Sequence, residues 1–371
     1  MDIKKTIREW MLPIAMVTGA SIYLLYHVMP EPVHRAGPFL SGLVSVVQPL
    51  LIFSMLFLTF CRIEPRDLKP HRWHWWLLLI QGGLFTVLGL LAVWIIRSAP
   101  GGYHEKVVLI ESAMLCLICP TATAAAVVTR KLGGDVPGLT TYIVLINLLT
   151  ALLVPLVVPV IHPQSGTGFW EAFSMILAKV FPLLITPCLC AWLVRYLAPG
   201  FHRKLMQYPD LAFYIWAVAL ALAIAVTTKS IVHSTLSAGL LLLMSLVSLI
   251  CCAFQFGMGR YVGSRYRPHL RSSAQAEEQG REIRKVTAGQ SLGQKNTVFA
   301  IWMGYTFMTP EIAIVGGLYS IWPAERFRYL HGGDLFGAGY IQYGARIIRQ
   351  FQRAQSRFVG AALPDNIEMA D

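Results

Sequence analysis

Charge is what this sequence has least of. Only 13% of its 371 residues are Asp, Glu, Lys or Arg, against roughly 25% in ordinary soluble domains. It lacks an HExxH metal-site motif, and no apolar run holds a pair of aspartates, so nothing marks it as an enzyme. Acidic residues are scarcer than basic ones, 19 against 31. Cysteines number seven, and every one falls in or at the edge of an apolar run. Cys116 and Cys119 have metal-pair spacing, but in an apolar run rather than a polar loop, and they read as small thiols packing between helices.

What remains is apolar: 56% hydrophobic residues and a mean hydropathy of +0.57. Apolar runs of roughly 20 residues recur along the chain, which is the mark of an all-α polytopic membrane protein. Ten spans are predicted, at 10–29, 37–60, 75–97, 107–129, 136–162, 169–197, 211–230, 236–257, 286–307 and 308–322. The first lacks a small-residue cleavage site and leads straight into the second, so it reads as a span rather than a leader.

The basic residues orient these spans. With the N-terminus inside, 25 of the 31 fall in cytoplasmic segments, and four (Arg35, Arg97, Lys106 and Lys229) fall outside. Such a bias predicts a multi-pass protein of the plasma (inner) membrane with both termini cytoplasmic. It also explains the net charge of +12 without a nucleic-acid partner. The last two basic residues, Lys179 and Lys295, lie inside spans.

Ten spans divide five and five, into 10–162 and 169–322. An odd number per half makes the second half enter from the opposite side, as inverted repeats do in secondary transporters. Spans four and nine then correspond, and both look interrupted. "LICPTATAAAVV" (117–128) has Pro120 in mid-span, and "AGQSLGQKNT" (288–297) is a polar, glycine-bearing break. Spans three and eight each hold one glutamine, Gln81 and Gln255. A proline frees backbone groups that protein or cavity water must satisfy in lipid. Paired breaks are the best sequence pointer to a midplane site; an ordinary packed kink is the plainer alternative. Between spans eight and nine, 258–285 reads as a polar cytoplasmic linker, part helix. The segment 323–371 reads as a basic cytoplasmic tail, with 341–358 suited to a basic helix on the membrane surface or to no structure.

Lys295 is about ten residues into its span, roughly 15 Å deep at 1.5 Å per residue. Its stem reaches only about 6 Å, too short to snorkel out. A charge at that depth costs about 2.5–3.5 kcal/mol, so partner oxygens, water or a bound anion must offset it. Thr121, Thr123, Gln294, Asn296 and Thr297 surround the two breaks and are candidate substrate contacts. Hydrogen bonding within their own helices would account for the threonines equally well. Lys179 is as deep in span six and is a further candidate anion contact, or packs beside Pro182. Glu111 and Glu311 read as interfacial or capping groups, and Asn147 and Thr150 as interhelical hydrogen bonders.

"CPTATAAAVVTRKLGGD" (119–135) and "GQSLGQKNTVFA" (289–300) resemble the crossing segments of the bile acid:sodium symporter family. The resemblance implies ten helices in two inverted five-helix repeats, a panel and a core, broken helices four and nine crossing at the substrate and sodium sites, and organic-anion cargo. Pro120 with Gly134 and Asp135, and Gly293 with Asn296, match its motifs. The family's sodium ligands do not carry over. Its motif glutamate falls on Ser291, its motif glutamine on Lys295, its Ser-Asn pair on Ala125 and Ala126, and its span-five hydroxyls near Leu139 and Ile143. Gln81 alone keeps a sodium-site side chain.

The expectation is a secondary transporter of a small organic anion, with degenerate sodium sites, no cofactor and no metal. The Lys295 ammonium would stand in for sodium, donating to Gln81 and to the freed carbonyls. Uniport, exchange and proton linkage stay open, as does direct contact of Lys295 with the substrate. So do a sodium symporter whose ligands are backbone carbonyls and a non-transporting membrane sensor. Oligomeric state is not readable from the residues.

Overall fold

A computed structural model describes residues 3–30, 35–98, 104–163, 167–208, 210–266 and 274–322. The basic tail, including the helix expected at 341–358, lies outside the described residues. Within them the chain is helical, and a single isolated β-bridge is its one extended pairing.

The helices follow the apolar runs. They are α1 (Ile3–Val28), α2 (Gly37–Phe60), α3 (Arg72–Ser98), α4 (His104–Ile118), α5 (Ala125–Lys131), α6 (Val136–Ile161) and α7 (Phe169–Leu184). Then come α8 (Thr186–Leu197), α9 (Pro199–Met206), α10 (Leu211–Val232), α11 (Ala238–Arg265), α12 (Ala274–Gly293), α13 (Thr297–Phe307) and α14 (Ile312–Tyr319). Prolines at the first turns of α2, α6 and α8 cost nothing there, because those N–H groups have no helical partner anyway. Ser237 caps α11 by accepting from the Leu240 N–H at 3.2 Å.

Seven of these stretches are long and apolar enough to cross a membrane: Met11–Val28, Gly37–Phe60, Arg72–Ser98, Val136–Ile161, Phe169–Leu197, Leu211–Val232 and Ala238–Arg265. The other predicted spans are shorter pieces. Span four is α4 and α5, separated at 119–124; span nine is the end of α12 and α13, separated at 294–296; span ten contains the eight-residue α14. The stretch 258–285, expected as a linker, is helix at both ends, since α11 runs on to Arg265 and α12 starts at Ala274.

Two packing groups emerge. In one, α10 lies against α1 and α2, and α8 against α2. In the other, α3 packs on α4 and α6, α11 on α4 and α12, and α14 on α4 and α13. The second group holds most of the tightly buried core, including Phe85, Leu115, Ile143, Phe299 and Val315. Stripes of apolar side chains point outward, such as Val17, Ile22 and Leu25 on α1 and Leu242, Leu246 and Ile250 on α11. In water such stripes would be a liability; in a bilayer they are the lipid face.

Close helix pairs rest on glycine. A Cβ on Gly259 would stand 2.4 Å from the Ala288 carbonyl, and one on Gly263 2.4 Å from that of Arg284. The four-residue spacing puts both on one face of α11, where the backbones of α11 and α12 approach as small-residue motifs allow. Gly259→Ala is therefore expected to force the pair apart at a cost of about 1–3 kcal/mol. Gly257→Ala, whose Cβ meets nothing within 4 Å, should leave the melting temperature of purified protein unchanged. Equal melting of the two variants would refute this packing.

Candidate functional site

The two breaks lie against each other. Ala122 N–H donates to the Gln294 carbonyl at 2.9 Å, and Asn296 N–H to the Pro120 carbonyl at 2.8 Å. Together they form a two-residue antiparallel ladder in which Thr121 faces Lys295. Side chains tie the ladder in. The Thr121 hydroxyl donates to the Ser291 carbonyl at 2.6 Å, and the Cys119 thiol to that of Asn296 at 3.2 Å. Asn296 accepts the Phe299 N–H at 3.2 Å and so starts α13 as its cap.

The end of α4 is the sharper problem. A helix leaves its last four carbonyls without internal donors and gathers about half a negative charge there. Here five successive carbonyls meet donors from other parts of the chain. Cys116 receives the Gln255 amide at 3.3 Å, and Leu117 the Lys295 ammonium at 3.2 Å. Ile118 receives the Gln81 amide at 3.2 Å and the Thr150 hydroxyl at 3.0 Å; Cys119 receives Gln81 at 3.1 Å. Pro120 receives the Asn296 N–H already described.

Lys295 is 5% exposed, and its position answers the question of what offsets its charge. A charged hydrogen bond contributes about 1.5–3 kcal/mol, and a helix C-terminus up to about 2 kcal/mol more in a partly buried setting. Those sums match the roughly 2.5–3.5 kcal/mol insertion cost. The expected contact with Gln81 is not what forms. The Gln81 carbonyl oxygen instead accepts the Tyr142 hydroxyl at 2.9 Å, and its NH2 group serves the same helix end as the ammonium does.

A second glutamine–tyrosine pair sits across the crossing. Gln255 donates to the Tyr319 hydroxyl at 3.2 Å, and Tyr319 donates to the Gly293 carbonyl, the last of α12, at 2.8 Å. Polar atoms left over also collect here. Among the described residues Ser291 Oγ, Gln290 Oε1, Asn296 Nδ2 and Gln255 Oε1 are buried without a hydrogen-bond partner.

The sequence-derived residues separate on this geometry. Pro120, Thr121, Ser291, Gln294, Lys295, Asn296 and Gln81 meet at the crossing. Thr123 and Thr297 flank it and are half-buried. Lys179 stands apart, exposed on α7, with Nζ 5.9 Å from the Phe307 ring centroid. Tyr142 and Tyr319 were missed, because a tyrosine in an apolar run looks like packing. Their spacing from Gln81 and Gln255, 61 and 64 residues, was the available signal. Glu111, read as interfacial or capping, is 1% exposed and paired with His162 at the end of α6. Residues 289–293 spell Gly-x-Ser-x-Gly, but a nucleophile elbow is a strand-to-helix turn, and these residues end a helix.

A broken-helix crossing, capped from both halves and wrapped by lipid-facing helices, is the setting in which sequence comparison becomes informative. The sodium bile acid symporter family model matches residues 49–234. The chain belongs to this family. No curated protein matches it. The matched region takes in α4, the first break and α6, whereas the second break, with Lys295, lies beyond it. The family's transporters are membrane proteins, and the seven long apolar helices agree with that.

Removing the Tyr142 hydroxyl should expose how tightly the crossing depends on its donors. Tyr142→Phe leaves the Gln81 oxygen buried and unserved, an expected loss of about 1–3 kcal/mol. Thermal melting in detergent reads this directly, with Tyr305→Phe, at a 40% exposed position, as the neutral comparison.

Proposed function

We propose that this family member is a secondary transporter of a small organic anion that works by alternating access without sodium. The Lys295 ammonium takes the place of the bound ion. One observation carries the reading: each carbonyl from Cys116 to Pro120 accepts a hydrogen bond from the protein itself. The one sodium-type side chain kept in the sequence, Gln81, has its oxygen turned to Tyr142. A sodium ion requires several oxygens, and carboxylates favour it further; here the α4 carbonyls already accept from the protein and the motif carboxylate is Ser291. Among the described residues, the unpartnered oxygens left at the crossing, Ser291 Oγ, Gln290 Oε1 and Gln255 Oε1, are all uncharged.

The organic anion is inherited from the family, whose description names bile acid. We read the chain as ten spans in two inverted five-helix repeats. The contact of α3 with α4 has its counterpart in α11 with α12, and the Gln81–Tyr142 pair in Gln255–Tyr319. The α1, α2, α8 and α10 group serves as panel and the other as core. Basic-residue bias supports cytoplasmic termini in the plasma (inner) membrane. A sodium symporter remains the second reading, favoured by family membership.

Melting of purified protein in sodium, potassium and choline chloride separates the two, because an ion bound only to the folded state raises its stability by mass action. Wild type is expected to ignore sodium. Lys295→Gln is expected to melt lower and to gain a sodium response. Stabilisation of wild type by sodium above potassium would overturn the reading.

A further inference from the structure

We propose that Glu111 and His162 form a proton-binding site through which transport is linked to the proton gradient. The proposal rests on the sodium-free reading above and names the ion that takes sodium's role. Glu111 lies on α4, seven residues before that helix ends at the crossing, and is 1% exposed. His162 caps the end of α6, and 29% of its side chain is exposed. Glu111 Oε1 and His162 Nε2 are 2.8 Å apart without the alignment of a hydrogen bond, and neither has another hydrogen-bond partner among the described residues.

At that distance a proton on either partner relieves the repulsion of their lone pairs. A carboxylate out of water requires a counter-charge or a proton, and an imidazole at contact distance can supply either. The balance is simple. A proton from outside water binds Nδ1, and the Nε2 proton passes to Oε1. The imidazole is left neutral in its other tautomer, the carboxyl is neutral, and the pair has gained one proton.

Several elements carry charged residues at this end, and Lys295 bonds Leu117 at the far end of α4. At this end of the helices, α3 brings Arg97, α7 brings Glu171, the approach to α14 brings Glu311, and α4 itself brings Glu105 and Lys106. Neither α11 nor α13 brings a charged side chain to it. The charged residues of α5 and α12 lie beyond the crossing, toward the other end of α6. Because α4 carries Glu111 at one point and the carbonyls held by Lys295 at its end, a change of charge at the pair acts on the helix that forms the crossing.

Proteoliposomes of the full chain on a solid-supported membrane test this with protons alone as the probe. A step from about pH 7.5 to about pH 6.5 should displace charge in wild type. Glu111→Gln and His162→Gln should fall to the signal of protein-free liposomes, while Glu105→Gln, an exposed carboxylate on the same helix, keeps the wild-type charge. A protein-free signal from wild type, or wild-type charge in a folded Glu111→Gln or His162→Gln, overturns the proposal. Melting temperatures identify a variant lost to misfolding, and the other then decides. A sodium step at constant pH, run on the same sensor, reads the sodium-free mechanism separately. Charge displaced by sodium would sink that mechanism while the pH step still judged the proton site.

Discussion

Everything at the centre of this protein depends on where the backbone hydrogen bonds of two interrupted helices go. In hydrocarbon an unpaired carbonyl or N–H costs several kcal/mol, and α4 and α12 both end inside the core. The chain satisfies the two ends together. The breaks pair as a short antiparallel ladder, and the remaining carbonyls receive side chains from α3, α6, α11, α14 and the second break. Gln255 reaches the end of α4 from α11, and α11 also packs closely on α12 through Gly259 and Gly263. The helices of the other packing group carry no such burden, and their outward faces are plain apolar stripes.

The identity of the donors shapes what the crossing can do. A bound sodium brings its charge at one stage of a cycle and removes it at another. A lysine nitrogen is covalent and stays, and only its proton can leave. On the sodium-free reading, an ammonium at the C-terminal end of α4, bonded to Leu117, offsets the local dipole without a bound ion. Proton coupling could then be written on Lys295 itself or on another titratable group of α4. Glu111 with His162 fits that description on α4.

Much of this was legible in one dimension. Hydropathy marked the long helices, Pro120 and the polar run 288–297 marked both breaks, and depth alone singled out Lys295. Depth says nothing about neighbours, and that is where the reading failed. Gln81 was expected to accept from Lys295, yet both act as donors to one helix end, because its oxygen goes to a tyrosine no pattern flagged. Counting along α4 places Glu111 a turn inside the outer face, but no count along α4 could reveal that His162, at the end of α6, covers it. Lys179 had the depth of Lys295 but faces outward on α7.

The two halves also differ in a way that bears on direction. Gln81 with Tyr142 and Gln255 with Tyr319 repeat one device, a glutamine and a tyrosine serving a broken helix. The fixed charge is not repeated: Lys295 stands opposite Thr121, whose hydroxyl serves Ser291. A crossing with one ammonium and no balancing carboxylate, built into α12 and α13, is electrically lopsided. An anion seated near it would be held by a positive site that does not depart with the cargo, which raises the cost of release. Neutralising a carboxylate on α4 makes the site more positive still, and ionising it again weakens the hold. If Glu111 binds a proton as proposed, proton entry would favour anion capture and proton exit release, the sequence a proton-linked carrier of anions requires.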